Sequence, residues 1–246
     1  MCKFVAEIGI NHLGSEDCAH ITLNALLETS VDAITFQIRR DDFYESGEPS
    51  HRRLSDGFYV QACERTHHHH KGFGIATCEA KVVPFLDSVG VDFWKTLSWD
   101  FKNHALIEAL LATGKTTFMS TGTASMEDIN TAAREYGDIV FIHTQLSEMV
   151  EDVNLKALDS IRERTGKPVA FGLHCSNHDV LKVALGYEPE ALFFYVKERN
   201  LTGLFDDAHA VFTDHVGGLV DELKVLLGSL GTGRKETKEL PDWVVR

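Results

Sequence analysis

Lys95 is the first candidate for chemistry. It closes the short apolar and aromatic segment Asp92-Phe93-Trp94-Lys95, where a charge is costly unless it is paired or put to use. Ser98 follows three residues on, and an ammonium with a hydroxyl beside it makes an anion site. The ordinary alternative is a surface lysine that lays its stem along apolar neighbours. Glu7 has the same character, lying between Ala6 and Ile8. A carboxylate in that setting needs either a structural cation or a substrate whose protons it manages. Downstream, Gly122 in Ser120-Thr121-Gly122 lets backbone come close to a ligand, and a helix starting near Ser125 offers N–H groups to an anion. The same residues also read as an N-capping turn. Asn11 and His12, in the loop after Glu7, can meet substrate or cap the turn. Lys197 ends the apolar run Phe193-Phe194-Tyr195-Val196 and would be an amine nucleophile if burial lowered its pKa. The run His67-His68-His69-His70 points in four directions on a helix, so it reads as an exposed surface feature rather than one chelate.

These residues sit at matching places in a repeating pattern. A short β-branched or aromatic run is followed by a turn and an amphipathic stretch. The pattern predicts strands at Lys3 to Ile10, Asp32 to Gln37, Phe73 to Thr77, Asp92 to Lys95, Thr116 to Ser120, Asp138 to Ile142, Pro168 to Leu173 and Ala191 to Val196. Helices are expected at Glu16 to Glu28, Phe58 to His69, Asn103 to Ala112, Ser125 to Glu135, Asn154 to Arg164 and Thr213 to Ser229, with a polar loop over Arg39 to Asp56. Gly114-Lys115 and Gly166-Lys167-Pro168 close two helices, Gly as the left-handed cap and Lys facing the negative helix end. Eight such alternations imply a parallel sheet closed into a (β/α)8 TIM barrel, one domain over residues 1–246 with a tail over 232–246. Any active site then lies at the C-terminal ends of the strands. A doubly wound open sheet is the alternative, with fewer strands and free edges.

Composition narrows the partners. A net charge of -13 argues against nucleic acid but leaves room for a small anionic substrate held by local cations. The apolar runs are strand-sized, short of the ~20 residues of a membrane span, and the N-terminus has no signal-peptide pattern. A cytoplasmic address is expected. Five cysteines without CxxC spacing read as reduced thiols.

The string Ala6-Glu7-Ile8-Gly9-Ile10-Asn11-His12-Leu13-Gly14-Ser15 resembles the opening of N-acetylneuraminate (sialic acid) synthases and of relatives that make other nonulosonic acids. The resemblance continues through Phe36-Gln37, Gly74-Ile75-Ala76-Thr77, Asp92 to Ser98, Ser120 to Ser125, Glu151 to Leu155, Asp207-Ala208-His209 and Leu230 to Lys235. It implies a transferase of carbohydrate (sialic acid) biosynthesis, a homo-oligomer. This enzyme joins the methylene carbon of phosphoenolpyruvate to the aldehyde of an open-chain N-acetylhexosamine and releases phosphate. By the same resemblance Glu7 and Lys95 are catalytic, Lys95, Ser98, Thr77 and Ser120 hold phosphoenolpyruvate, and Gln37, with Asn11 and Asp207, contacts substrate. A divalent ion, Mn or Mg, would polarise the aldehyde from two histidines that follow strands seven and eight. His174 is the candidate after strand seven, with His178 second. Such synthases usually carry an antifreeze-like domain after the barrel; with the sequence ending at Arg246, that domain is expected to be absent.

Three departures from the family pattern stand out. Thr35 replaces a phosphate-binding Lys two residues before Gln37, and Arg39 or Arg40 would reach the same anion from the loop. Tyr195-Val196-Lys197 lacks the second metal histidine, for which His209 or Asp207 would stand in. The loop His143 to Glu148 lacks an Asn and a Tyr. Two other readings follow: a metal-independent aldolase- or lyase-type barrel using Lys197, or a non-catalytic sugar-acid-binding paralogue whose mouth is plugged by Phe193, Phe194 or Trp99.

Overall fold

Strand formation follows the apolar runs. In the computed structural model, which describes residues 2–235, eight parallel strands run in chain order: β1 (Lys3–Gly9), β2 (Ala33–Ile38), β3 (Gly72–Thr77), β4 (Phe93–Thr96), β5 (Thr116–Ser120), β6 (Ile139–His143), β7 (Val169–Gly172) and β8 (Ala191–Lys197). Each pairs with the next, and β1 pairs with β8 from Lys3↔Ala191 to Glu7↔Tyr195, so the sheet closes. A two-residue strand, β9 (Val211–Phe212), adds to the end of β8. This is the single-domain (β/α)8 barrel that the sequence implies. Residues 236–246 of the expected tail lie outside the described residues.

Between the strands lie α1 (Glu16–Leu27), α2 (Asp41–Tyr44), α3 (Asp56–His68), α4 (Val83–Val89), α5 (His104–Leu111), α6 (Met126–Glu135), α7 (Ala157–Thr165), α8 (Val180–Ala184) and α9 (Thr213–Gly228). The short α2, α4 and α8 escape a periodicity reading because seven residues or fewer hold at most two turns. Helix α7 starts three residues later than expected. Asn154 has a φ of +49°, a left-handed conformation that no α-helix continues through. The lysines after the helix-closing glycines also differ from expectation. Lys115 donates to the Asp87 carbonyl and Lys167 to the Tyr136 carbonyl, so each serves the C-terminal end of the neighbouring helix rather than its own.

Period-two alternation divides the strand residues between two cores. Phe4, Ile8, Phe36, Phe73, Trp94, Phe141, Phe171 and Phe194 are buried outward against the helices. Val5, Ala33, Phe93, Ile142, Ala170, Ala191 and Phe193 pack inside the barrel. There Phe118 meets Phe93 and Phe193 edge-on, with centroids 5.6 and 5.1 Å apart. Gly74 makes room for this layer, since a Cβ there would come within 2.3 Å of the Phe93 ring. One step further up the same strands come Glu7, Thr35, Gln37, Lys95, Ser120 and Tyr195, all buried. The aromatic layer is thus a dry floor, and the polar layer above it opens to the strands' C-terminal ends. Among the described residues no helix is long and apolar enough to cross a membrane.

Candidate active site

A cavity of about 230 Å³ opens above the aromatic floor at the C-terminal ends of the strands. Lys95, Ser98, Ser120 and Gln37 line its base. The Lys95 ammonium is ion-paired with Glu7, both side chains being at most 5% exposed, and stands 5.4 Å from the Phe193 ring centroid and 5.6 Å from that of Tyr195. Ser98 and Ser120 share a hydrogen bond of 2.9 Å between their hydroxyls. Gly122 leaves room for Ser98 and Leu146, because a Cβ there would lie 2.6 Å from Ser98 Oγ and 3.0 Å from Leu146 Cγ. The two loop arginines have separate fates. Arg40 is bound to Asp100 at 2.5 Å, whereas the Arg39 guanidinium lines the cavity between the rings of Phe43 and Trp99, 5.1 and 5.2 Å from their centroids. Arg39 forms no ion pair among the described residues, so its fork is available to an anion.

The opposite wall carries His174, Tyr195 and Asp206. Burial, then the neighbouring His209 and Lys95, depress the His174 pKa to about 3. Burial also lowers His209 to about 4, so both imidazoles are neutral at neutral pH. Asp206 runs the other way: burial, then the charge of Glu7, raise its carboxyl to about 7. Its backbone N–H donates to Asn11 Oδ1 at 3.2 Å, which fixes the loop that presents it. The two histidine rings lie against each other with centroids 4.7 Å apart and 34° between planes, and Asp206 Oδ1 is 3.6 Å from His209 Nε2. That arrangement does not fit the expected divalent ion. Among the described residues no group of three His, Cys, Asp or Glu side chains could hold a metal.

Of the residues singled out in the sequence, Gln37, Arg39, Lys95, Ser98, Ser120 and His174 meet in the cavity, with Glu7 paired to Lys95. Others lie elsewhere. Asn11 uses both ends of its amide on backbone, donating to the Val196 carbonyl at 3.0 Å and accepting from Asp206. The Thr77 hydroxyl accepts from the Glu79 N–H at 3.0 Å, capping its own loop outside the cavity lining. Asp207 pairs with Lys197 at 2.8 Å, outside the cavity. This contact occupies the amine of the alternative nucleophile. His209 stands behind His174. The start of α6 is closed by Ser125 and Asp128, which cap each other's N–H groups, leaving the N-capping reading and an acidic side chain where an anion was envisaged. The mouth is not plugged: Phe193 belongs to the floor, Phe194 to the outer core and Trp99 to a half-exposed rim. The histidine run is exposed at His67, His68 and His70, with His67 paired to Asp92 at 2.8 Å.

Tyr195, Asp206, Leu146 and Phe205 were not foreseen. Tyr195 had a signal, since it shares a strand face with Phe193 and Lys197. Asp206 and Asp207 are adjacent, and only the loop's path decides which one faces the cavity.

The barrel superposes on the N-acetylneuraminic acid (sialic acid) synthetase of Leptospira borgpetersenii, solved with citrate, with a TM-score of 0.87, 22% identity, and coverage of 96% of this chain and 87% of that one. In sequence it is 25% identical to an uncharacterized protein of Methanocaldococcus jannaschii over 94% of this chain and 72% of that protein. It is 22% identical to the N,N'-diacetyllegionaminic acid synthase of Legionella pneumophila over 98% of this chain and 77% of that enzyme. The NeuB family pattern matches residues 50–235, and the chain belongs to the NeuB family.

Proposed function

We propose that this barrel is a nonulosonic-acid-synthase-like enzyme that condenses phosphoenolpyruvate with the open-chain aldehyde of an N-acetylhexosamine. The observation that carries the reading is the cradle itself: Lys95, Ser98 and Ser120 at the base, with the unpaired Arg39 fork above. In the reaction the C3 methylene carbon attacks the aldehyde carbon, forming the C–C bond, and the aldehyde oxygen takes a proton. Water adds to C2, and inorganic phosphate leaves as the C2–O bond breaks. Two cations and two hydroxyls hold the carboxylate and phosphate. The Tyr195 hydroxyl and the protonated form of Asp206 are the proton donors on the wall. Glu7 orients the Lys95 ammonium.

The test is phosphate release from phosphoenolpyruvate with N-acetylmannosamine, with and without manganese. Release that depends on the aldehyde and is lost in Lys95→Ala is expected; its absence from folded protein under every condition sinks the condensation. The two arginines give a sharper check. Arg39→Ala is expected to raise the KM for phosphoenolpyruvate roughly ten- to a hundredfold, since a charge-assisted contact contributes about 1.5–3 kcal/mol. Arg40→Ala, whose partner is Asp100, is expected to leave that KM within about twofold. Equal effects from the two would remove Arg39 from the substrate.

A further inference from the structure

Holding an arginine still usually takes up its donors. An ion pair with a carboxylate fixes the guanidinium but occupies the N–H groups that would otherwise meet an anion. Arg39 is held in another way. Its guanidinium carbon stands 5.1 Å from the Phe43 ring centroid and 5.2 Å from that of Trp99, and a ring face attracts a cation without accepting its hydrogen bonds in return. The rings are themselves anchored. Phe43 lies on α2, and its ring stacks on His51 at 4.0 Å and 18°, with the Phe205 ring 5.6 Å away. Tyr44, the next residue of that turn, accepts the Arg39 backbone N–H at 2.9 Å. Trp99 belongs to the short turn Ser98–Asp100, which also presents Ser98. It is 52% exposed, so no surrounding core forces its ring onto Arg39. A loop arginine in open water samples many rotamers, and binding must remove that freedom. Two rings that remove it beforehand leave the fork preset for its ligand.

We infer that Phe43 and Trp99 are positioning residues, which clamp the Arg39 guanidinium in place for an anionic end of the phosphoenolpyruvate held at the base by Lys95, Ser98 and Ser120. The inference rests on the substrate site proposed above, and adds the device that lets a loop arginine serve where Thr35 leaves β2 without a cation.

The experiment measures the KM for phosphoenolpyruvate in Phe43→Leu, Trp99→Leu and the double variant, each alone and combined with Arg39→Ala. Each single variant is expected to raise KM about two- to fivefold, the size of one exposed cation–π contact, and to leave kcat within about twofold. The two together are expected to raise it about tenfold, and neither to add anything once Arg39 is replaced. Trp99→Tyr, which keeps a ring face, is expected to stay within about twofold of the wild-type KM. An unchanged KM in both leucine variants overturns the clamp. Effects that persist in Arg39→Ala overturn it too, because they place the rings on the substrate itself. A fall in kcat that comes with a lowered urea midpoint also overturns it, since that is a loss of structure. Arg39→Ala with an unaltered KM removes the arginine from the substrate, and the clamp with it. If no aldehyde supports phosphate release, the condensation fails, and the same variants are read by calorimetric titration with phosphoenolpyruvate. Losses of affinity that vanish in Arg39→Ala uphold the clamp without the condensation, and losses that are absent or additive overturn it.

Discussion

Lys95→Met is expected to lose about 3–5 kcal/mol of unfolding free energy together with all phosphate release. The stability loss comes from Glu7 rather than from the lysine. In the native barrel the Glu7 carboxylate is 3% exposed, and Lys95 is its ion-pair partner. Removing one member of a buried pair strands the other as an uncompensated charge above an aromatic floor. Replacing both members by neutral groups of similar volume removes that penalty. Glu7→Gln combined with Lys95→Met is therefore expected to recover most of the lost stability in urea unfolding while phosphate release stays absent. The pair of readouts separates two roles the sequence left open for Glu7 and Lys95, brace and catalyst. If the double variant is stable and still turns over phosphoenolpyruvate, the pair braces the barrel and nothing more.

That ambiguity illustrates how far the residues could be read in advance. The barrel was legible because every strand is a short apolar run, and its polar exceptions fall at the C-terminal end: Lys95 after Phe93-Trp94, Ser120 after Phe118-Met119, Gln37 after Phe36. Side chains in a strand alternate strictly, so one inward residue predicts the next, and Lys95 follows Phe93 into the barrel for that reason. Loops obey no such rule. Asp206 rather than Asp207 faces the cavity because Asn11, nearly two hundred positions away in sequence, holds the Asp206 N–H. Thr77 ends β3 at the right height, yet its hydroxyl is used by Glu79 two residues on. The N-terminus of α6 looked open to an anion until Asp128 closed it. In each case a hydrogen bond formed by a loop decided the outcome, and composition and periodicity carry no record of it.

Acidification is expected to unfold this protein near pH 4, because four histidines are buried with lowered pKa values, three of them strongly. His12 accepts the Gly14 N–H on Nδ1 at 3.0 Å, and burial lowers its pKa to about 4. His174 and His209 are lowered to about 3 and about 4, again mainly by burial. A base depressed on folding contributes stability that is fully present above its unfolded value of about 6.5 and is lost as pH falls through the folded value. Asp206 has the opposite sign. Raised from 3.8 to about 7, it contributes stability present at low pH and lost as pH rises through 7, so it offsets part of the histidine term. At about 1.4 kcal/mol per pH unit for each group, three histidines against one carboxyl leave a net loss on the order of 6 kcal/mol by pH 4. Total stabilities of about 5–15 kcal/mol make that loss decisive. His12→Asn keeps an acceptor for the Gly14 N–H but cannot take up a proton there, so it is expected to move the acid midpoint lower. Asp206→Asn is expected to stabilise above pH 7 and to make the acid transition more abrupt, since the offsetting carboxyl is gone. Far-UV circular dichroism from pH 8 to 3 measures both shifts. A wild-type midpoint below about pH 3.5, or a His12→Asn midpoint that does not move, would mean the imidazoles are charged inside the fold and that the wall facing Lys95 is far better solvated than its geometry implies.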